Sequence, residues 1–353
     1  MSNRFWILWT VVLIVAAPAF ARDKTDVLVM KNGDHMTCEV KGLEAGVLYV
    51  SFDYIDGTAS VDWTKVARLE SGQLFVVKTV GGDVYTGKLR TPESEGDRPI
   101  KIEVVEVPEN ESAVVERSQI VRLVETSDRF WQRFSGDASF GVIYTKGNQS
   151  TQYSLSSGTA YVGERWNAGA TFDSNLSQSA GVSASTRNSL NLTAAHLLPS
   201  RNWFYTGLGG FLQSSEQQIA RQSTIGAGLG RYLTNTDRAT VQLVGGLAWQ
   251  GTTYQSSVPQ SNNQNLLAAL IYADARFFKF SKTSFSGNCA LLPALSQPGR
   301  VRFQTNASYY VKIIGNLKWN LSFYGNWDNQ PPPSLPGSDY GTSSGLTWTF
   351  GLK

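Results

Sequence analysis

The sequence predicts an all-β chain: a 12-stranded antiparallel transmembrane β-barrel preceded by two small β modules. Three observations predict it. From Phe134 onward, apolar and polar residues alternate with a period of two through twelve runs. The connections between those runs alternate between short and long. The charge also changes sign where the alternation begins: residues 22–133 carry 20 acidic and 15 basic side chains, whereas residues 134–353 carry 8 and 15. A step of that size marks two physically different units.

The amino end reads as an export leader. Asn3 and Arg4 precede the apolar run from Phe5 to Val15, and Ala19-Phe20-Ala21 supplies small residues at a cleavage site. A signal peptide over residues 1–21 is expected, with the mature chain starting near Arg22. The alternative is an uncleaved anchor over Phe5–Ala21, short for a span and interrupted by Pro18. No later apolar run approaches the roughly 20 residues of a spanning helix, which excludes a polytopic helical membrane protein. Export permits disulfides, but Cys38 and Cys289 fall in different units and are expected to stay unpaired. Two Cys and two distant His leave no zinc site, and no metal or cofactor is expected.

The acidic unit repeats itself. Val27-Leu28-Val29-Met30, the turn Lys31-Asn32-Gly33-Asp34 and a strand through Val40 form one opening. Leu74-Phe75-Val76-Val77, Gly81-Gly82-Asp83 and a strand through Leu89 form the other. Asn-Gly and Gly-Gly supply the positive-φ residues of tight hairpins. The copies close alike, with Val61, Val66, Arg68 and Leu69 matching Val115, Ile120, Arg122 and Leu123 at an offset of 54. Modules over residues 22–71 and 72–128 are expected, each too small for a secure core alone and so packed together. They resemble SH3-like or Sm-like interaction barrels. Their acidity and export argue against nucleic acid as a partner.

The barrel is placed at residues 129–353, with strands starting near Phe134, Gln149, Arg165, Ser183, Arg201, Ile219, Arg238, Asn263, Lys282, Arg300, Leu317 and Tyr340. In the clearest run, Leu317, Trp319, Leu321, Phe323 and Trp327 share one face, and Lys318, Asn320, Ser322, Tyr324 and Asn326 the other. Short turns such as Asn235-Thr236-Asp237 and Gly315-Asn316 contrast with longer loops at Ser256–Gln264 and Asn329–Asp339. Aromatics gather at both strand ends: Trp203, Tyr205, Tyr232, Phe277, Phe278, Trp319 and Phe350 on the short-turn side, and Tyr144, Trp249, Tyr254 and Trp327 on the other. Two interfacial belts produce such a distribution. A soluble β-sandwich also alternates, but gives no reason for paired belts or alternating loop lengths.

Phe140-Gly141-Val142 running into Thr145-Lys146-Gly147-Asn148, then Gly226-Ala227-Gly228-Leu229-Gly230-Arg231-Tyr232 and Gly245-Gly246-Leu247, resembles the salt-induced outer-membrane-protein family over most of residues 134–353. That resemblance implies a bacterial outer-membrane barrel of unknown function, with no catalytic residues to carry over. Ser343, Gly345, Trp348 and Phe350 also look like the assembly signal read by the outer-membrane insertion machinery, although Gly351-Leu352-Lys353 follow the final aromatic.

The inward parity carries Asp173, Asp274, Arg276, Arg302, Lys312 and Lys318 as lumen candidates. Excess cations there favour anionic solutes if the lumen is open, and otherwise form internal salt bridges. His196, the one histidine after residue 134, lies beside the turn Leu198–Arg201 without a recognisable nucleophile, so an enzyme is not expected. Gly226, Gly228 and Gly230 do not match a nucleotide-binding spacing and read as close inward packing or a bend. The expected role is structural or envelope-stress related, or that of a porin-like solute channel. The alternative is a binding or scaffold module anchored by a closed barrel; a lipid-modifying enzyme ranks below both. Outer-membrane lipid and the insertion machinery are the expected partners. Residues 22–133, expected in the periplasm, would plug the barrel mouth, bind a periplasmic protein or contact peptidoglycan.

Overall fold

A computed structural model describes residues 24–92, 100–105, 112–125, 134–145, 150–163, 165–179, 181, 183–198, 202–255, 263–279, 282–332 and 335–350. The expected leader and the three carboxyl-terminal residues lie outside them, as does the side chain of Tyr144.

Among the described residues, nine strands build the amino-terminal unit: β1 (Asp26–Met30), β2 (His35–Glu44), β3 (Val47–Phe52), β4 (Ile55–Asp62), β5 (Val66–Thr79), β6 (Val84–Arg90), β7 (Lys101–Val105), β8 (Ser112–Glu116) and β9 (Ile120–Glu125). The internal repeat appears as a repeated pairing scheme. In the first copy β1 pairs with β2 and with the start of β5, and β2–β3–β4 form a meander. In the second, the end of β5 takes the place of β1, pairing with β6 and β9, and β6–β7–β8 form the meander. β5 therefore closes one copy and opens the other, with a bulge between Ser71 and Leu74 where the roles change.

The copies also meet at equivalent positions. Trp63 and Arg117, 54 residues apart, each begin a short 3-10 turn. Trp63 Nε1 donates to the Arg117 carbonyl at 3.0 Å, and the Arg117 guanidinium donates back to the Trp63 carbonyl at 2.5 Å. One core serves both copies, joining Leu28, Val40 and Leu69 to Phe75, Ile102 and Leu123. Within that apolar setting Asp26 is fully buried, accepting from the Val40 amide at 2.8 Å and the Ser71 hydroxyl at 2.6 Å. A charged acceptor tied to two strands is worth keeping only while both donors stay in place.

Twelve strands form the barrel: β10 (Phe134–Thr145), β11 (Ser150–Val162), β12 (Trp166–Gln178), β13 (Ser185–Leu197), β14 (Trp203–Ser214), β15 (Ile219–Asn235), β16 (Ala239–Tyr254), β17 (Asn263–Lys279), β18 (Thr283–Pro293), β19 (Val301–Ile314), β20 (Leu317–Asp328) and β21 (Ser338–Phe350). All neighbours are antiparallel and the ring is closed. The closing seam sets Gly136–Phe140 against Phe350–Leu346, and inside it the Ser139 and Thr347 hydroxyls share a 2.7 Å hydrogen bond. Of the residues resembling an assembly signal, Trp348 faces outward, 56% exposed, and Gly345 lies at the seam, where a Cβ would collide with the Phe140 carbonyl.

The outer surface is apolar: Phe140, Leu155, Leu192, Ile225, Leu247, Ile271, Leu321 and Leu346 are exposed along it. Trp166, Tyr205, Phe277 and Trp319 ring the short-turn end, and Trp249, Trp327 and Tyr340 the other. At about 3.4 Å per residue and a tilt near 40°, the stretch from Trp319 to Trp327 covers roughly 20 Å of depth. Three aromatics depart from the expected belts. Tyr232 packs at a tilt against buried Phe204, ring centres 4.9 Å apart, and Tyr254 packs with Leu212 and Ile219, so both face inward. Phe278 lines a cleft against the amino-terminal unit. The interior glycines provide the room: Phe204 lies where a Gly230 side chain would have to be.

Replacing Asp26 by Ala leaves the Val40 amide and Ser71 hydroxyl without their buried acceptor. The expected outcome is a loss of about 2–4 kcal/mol in the amino-terminal unit. Denaturant unfolding followed by Trp63 fluorescence reads it, with the barrel transition unchanged.

Candidate functional site

The six residues singled out on the inward parity all lie on the inner face, but not in one site. Arg302 belongs to the long-loop end of the lumen. There the Arg300 guanidinium grips Asp328 with two bonds of 2.6 and 3.0 Å, and Arg302 Nε donates to the same carboxylate at 2.9 Å. Arg302 also donates to the Gln250 amide oxygen and to Thr252, while Arg300 reaches Gln264 and Gln297. Two buried guanidiniums on one carboxylate leave a positive charge that these amide oxygens must solvate.

A second cluster crosses the lumen at that end. Arg187 on β13 forms an ion pair with Asp339 on β21 at 3.3 Å and lies 4.4 Å from the Tyr324 ring centre on β20. Ser214 on β14 donates to the same Asp339 at 3.1 Å. β14 and β21 are five places apart around the twelve-membered ring, so a direct serine–aspartate bond brings nearly opposite walls together. Leu335, from the connection between β20 and β21, packs onto Leu212, Ile219 and Tyr254 beside this pinch. Asp173, hydrogen-bonded by Ser156 at 2.7 Å, stands near Arg187.

Deeper in, Ala248, Ala268, Leu270 and Leu292 form a buried apolar layer with Leu208 and Tyr272 against it. Below that layer the Asp274 carboxylate, 7% exposed, pairs with Arg276 at 3.3 Å, yet the Arg276 side chain is 55% exposed. The short-turn half of the lumen thus leaves space around this guanidinium, whereas the other end is crossed by side chains. Lys312 and Lys318 face each other across the β19–β20 ladder near that mouth.

The amino-terminal unit sits over the same mouth. Asn202 Nδ2 donates to the Val80 carbonyl at 2.8 Å, Asn235 Nδ2 to the Thr79 carbonyl at 3.4 Å, and Lys78 Nζ to Asn167 Oδ1 at 3.3 Å. Gly82 is required here, because its φ is +91° and an added Cβ would meet Asn202 at 2.6 Å. The contact is made by the strand ends and turns of β5–β6 and β2–β3 against the short turns of the barrel.

His196 is placed on the outer face at the short-turn end, its ring tilted against Trp166 with centres 4.6 Å apart. Cys38 is buried in the amino-terminal unit and Cys289 lies on β18, with no disulfide between them. The residues missed by reading the sequence are Arg187, Arg300, Asp328 and Asp339. Asp328, Asp339 and Arg187 do stand on the inward parity of their strands, which was a usable signal. Arg300 precedes its strand and carried none.

A family model for proteins of unknown function, DUF481, matches residues 138–350. No curated protein matches the chain. Among solved structures, the translocator domain of the autotransporter NalP from Neisseria meningitidis is 14% identical, covering 61% of this chain and 86% of its own, with a TM-score of 0.32. A porin is 10% identical over 62% and 99%, at 0.30. A FadL homologue from Pseudomonas aeruginosa is 9% identical over 93% and 87%, at 0.27. Likeness at this level carries no substrate or role across.

The seated unit is expected to respond to pH. Burial, and secondarily the neighbouring Arg122, pulls the Lys78 ammonium from 10.5 down to about 7. Unseating removes the Asn167 side of that burial and is expected to move it back up. The seated form thus binds fewer protons above pH 7, and seating strengthens as pH rises through that window, by at most about 1.4 kcal/mol per unit. Below pH 7 the dependence flattens. Hydrogen exchange at the Asn202 and Asn235 turns is expected to show more protection at pH 9 than at pH 7. Lys78→Met removes the difference.

Proposed function

The chain belongs to the DUF481 family of proteins of unknown function, and from that premise we propose an outer-membrane barrel shut by its own side chains, anchoring an amino-terminal unit at its periplasmic mouth. The observation that carries this reading is the bridging of the lumen, with Ser214 and Arg187 both bound to Asp339 from the far wall. Porins keep a water-filled passage; here Gln250, Arg302 and Asp328 are packed where that passage would open.

The membrane placement rests on chemistry. A lipid-facing backbone must pair every amide, which a closed ring does, and the exterior is aliphatic between two aromatic rims. Placing the amino-terminal unit in the periplasm follows from its seat on the short-turn end, since outer-membrane barrels turn their short connections that way. An export leader at residues 1–21 and an assembly signal at Ser343, Gly345, Trp348 and Phe350 complete the route to that membrane. Peptidoglycan or a periplasmic protein is then the partner the anchored unit would hold.

A second reading, a gated channel for anions, draws on the solvated Arg276 and on Lys312 and Lys318 in the short-turn half. It requires the long-loop pinch to part.

Planar-bilayer recording of the full mature chain separates them. The anchored-scaffold reading expects no steady porin-scale current from the wild type and at least a tenfold rise in open events for Asp339→Ala, with heat-modifiable migration confirming a folded barrel. Steady wild-type current whose anion preference falls in Arg276→Gln would overturn it in favour of the channel.

A further inference from the structure

Charged side chains on the barrel strands are sorted by sign between the two faces. Asp137, Asp173, Asp274, Asp328 and Asp339 all sit on the inner parity, whereas Arg221, Arg231 and Lys279 are exposed on the outer one. Among the described residues, the outward face of the strands therefore carries cations and no acid. Two of those cations, Arg231 and Lys279, lie at the short-turn end. We propose that this patch, on the outside of β14–β17, binds the headgroup of an anionic phospholipid, with Arg231 as the phosphate contact. The inference rests on the membrane placement argued above and goes beyond it by naming one lipid class and one place on the rim.

Three observations carry it. First, Arg231 lies within an apolar exterior, flanked on its own strand by Leu229 and Leu233, 42% and 60% exposed. A guanidinium there must extend toward the headgroup layer or remain in hydrocarbon. Its carbon lies 5.6 Å from the ring centre of Trp203, which is registered directly opposite on β14. That contact holds it at the height of the aromatic rim without satisfying its N–H donors.

Second, the protein supplies those donors with nothing. Among the described residues, neither the Arg231 guanidinium nor the Lys279 ammonium has a carboxylate within 4 Å or a hydrogen-bond acceptor. The acid nearest in sequence, Asp237 in the β15–β16 turn, lies against Gly46 of the seated unit.

Third, the adjoining surface suits the rest of a lipid. One row deeper than Arg231, Gly245 stands between Leu229 and Ile271 in the ladder, and an added Cβ there would meet nothing within 4 Å. The exposed Leu229, Leu243 and Ile271 thus border a shallow notch in which an acyl chain can lie. A guanidinium fork grips phosphate oxygens in pairs, and Lys279 adds a point charge two strands along the same rim. The notch selects a lipid over a soluble phosphate, which would leave it empty.

The test is native mass spectrometry of the full mature chain in maltoside, titrated with dioleoylphosphatidylglycerol, dioleoylphosphatidylcholine or inorganic phosphate. A first phosphatidylglycerol is expected to bind more tightly than either alternative. Arg231→Gln is expected to weaken it by about fivefold. Arg231→Lys, which keeps the charge but not the fork, weakens it less, and Arg221→Gln at the opposite end leaves it unchanged. Equal binding of the two lipids, or equal loss in Arg221→Gln and Arg231→Gln, overturns the site. Phosphate binding as tightly as the lipid overturns the choice of ligand. Heat-modifiable migration checks that each variant is folded, and flotation with vesicles tests the membrane placement separately. A chain that floats yet shows no lipid preference refutes the site alone; one that fails to float refutes both.

Discussion

An unpaired amide in hydrocarbon costs several kcal/mol, and every other feature of residues 134–350 is arranged around avoiding it. The seam between β10 and β21 is where the cost would fall, because those strands are farthest apart in sequence. It is kept tight by small residues. Gly141 and Gly345 leave no Cβ between the two backbones, and the Ser139–Thr347 hydrogen bond closes the inner side. Closure then dictates the period of two, since a ring of strands has only an outer face and an inner one.

That constraint explains which parts of the structure were legible. All twelve strands begin within two residues of where alternation placed them, and the lumen candidates fall on the inner face, because both facts are local. Tyr232 and Tyr254 were misread as belt residues by position along the strand alone. Their parity matches inward Gly230 and Thr252, so the same alternation held the correct answer. In the amino-terminal unit the offset of 54 was plain in the sequence, but the sharing of β5 between copies was not. Sharing depends on long-range pairing with β9, to which Val76 and Val77 give no local clue.

The side-chain bridges were illegible for a different reason. Arg187 and Asp339 are 152 residues apart, and their meeting depends on how far the ring is flattened. Strand count fixes a circumference, not a cross-section, so the same twelve strands are compatible with an open bore or a pinched one. The pinch is sustained by polar bonds in a low-dielectric lining. Such bonds are strong while complete, and each member is costly to strand alone. A lumen closed this way is expected to be either fully bridged or open, with little between.

Seating of the amino-terminal unit follows the opposite logic. Its contacts with the rim include amide hydrogen bonds from Asn202 and Asn235 to backbone carbonyls and the Lys78–Asn167 bond, which specify geometry but contribute only about 1 kcal/mol apiece. Attraction at a distance comes instead from net charge, 20 acids against 15 bases on one side and 8 against 15 on the other. At physiological ionic strength that attraction fades beyond about 8 Å, so it guides approach and holds little once contact is made. The covalent tether keeps the unit near the mouth in any case, which makes a weak, specific seat sufficient. The barrel thus has a strongly bonded interior, and the unit above it is held by a few polar contacts. Small changes in charge at the junction between them act on the weaker of the two.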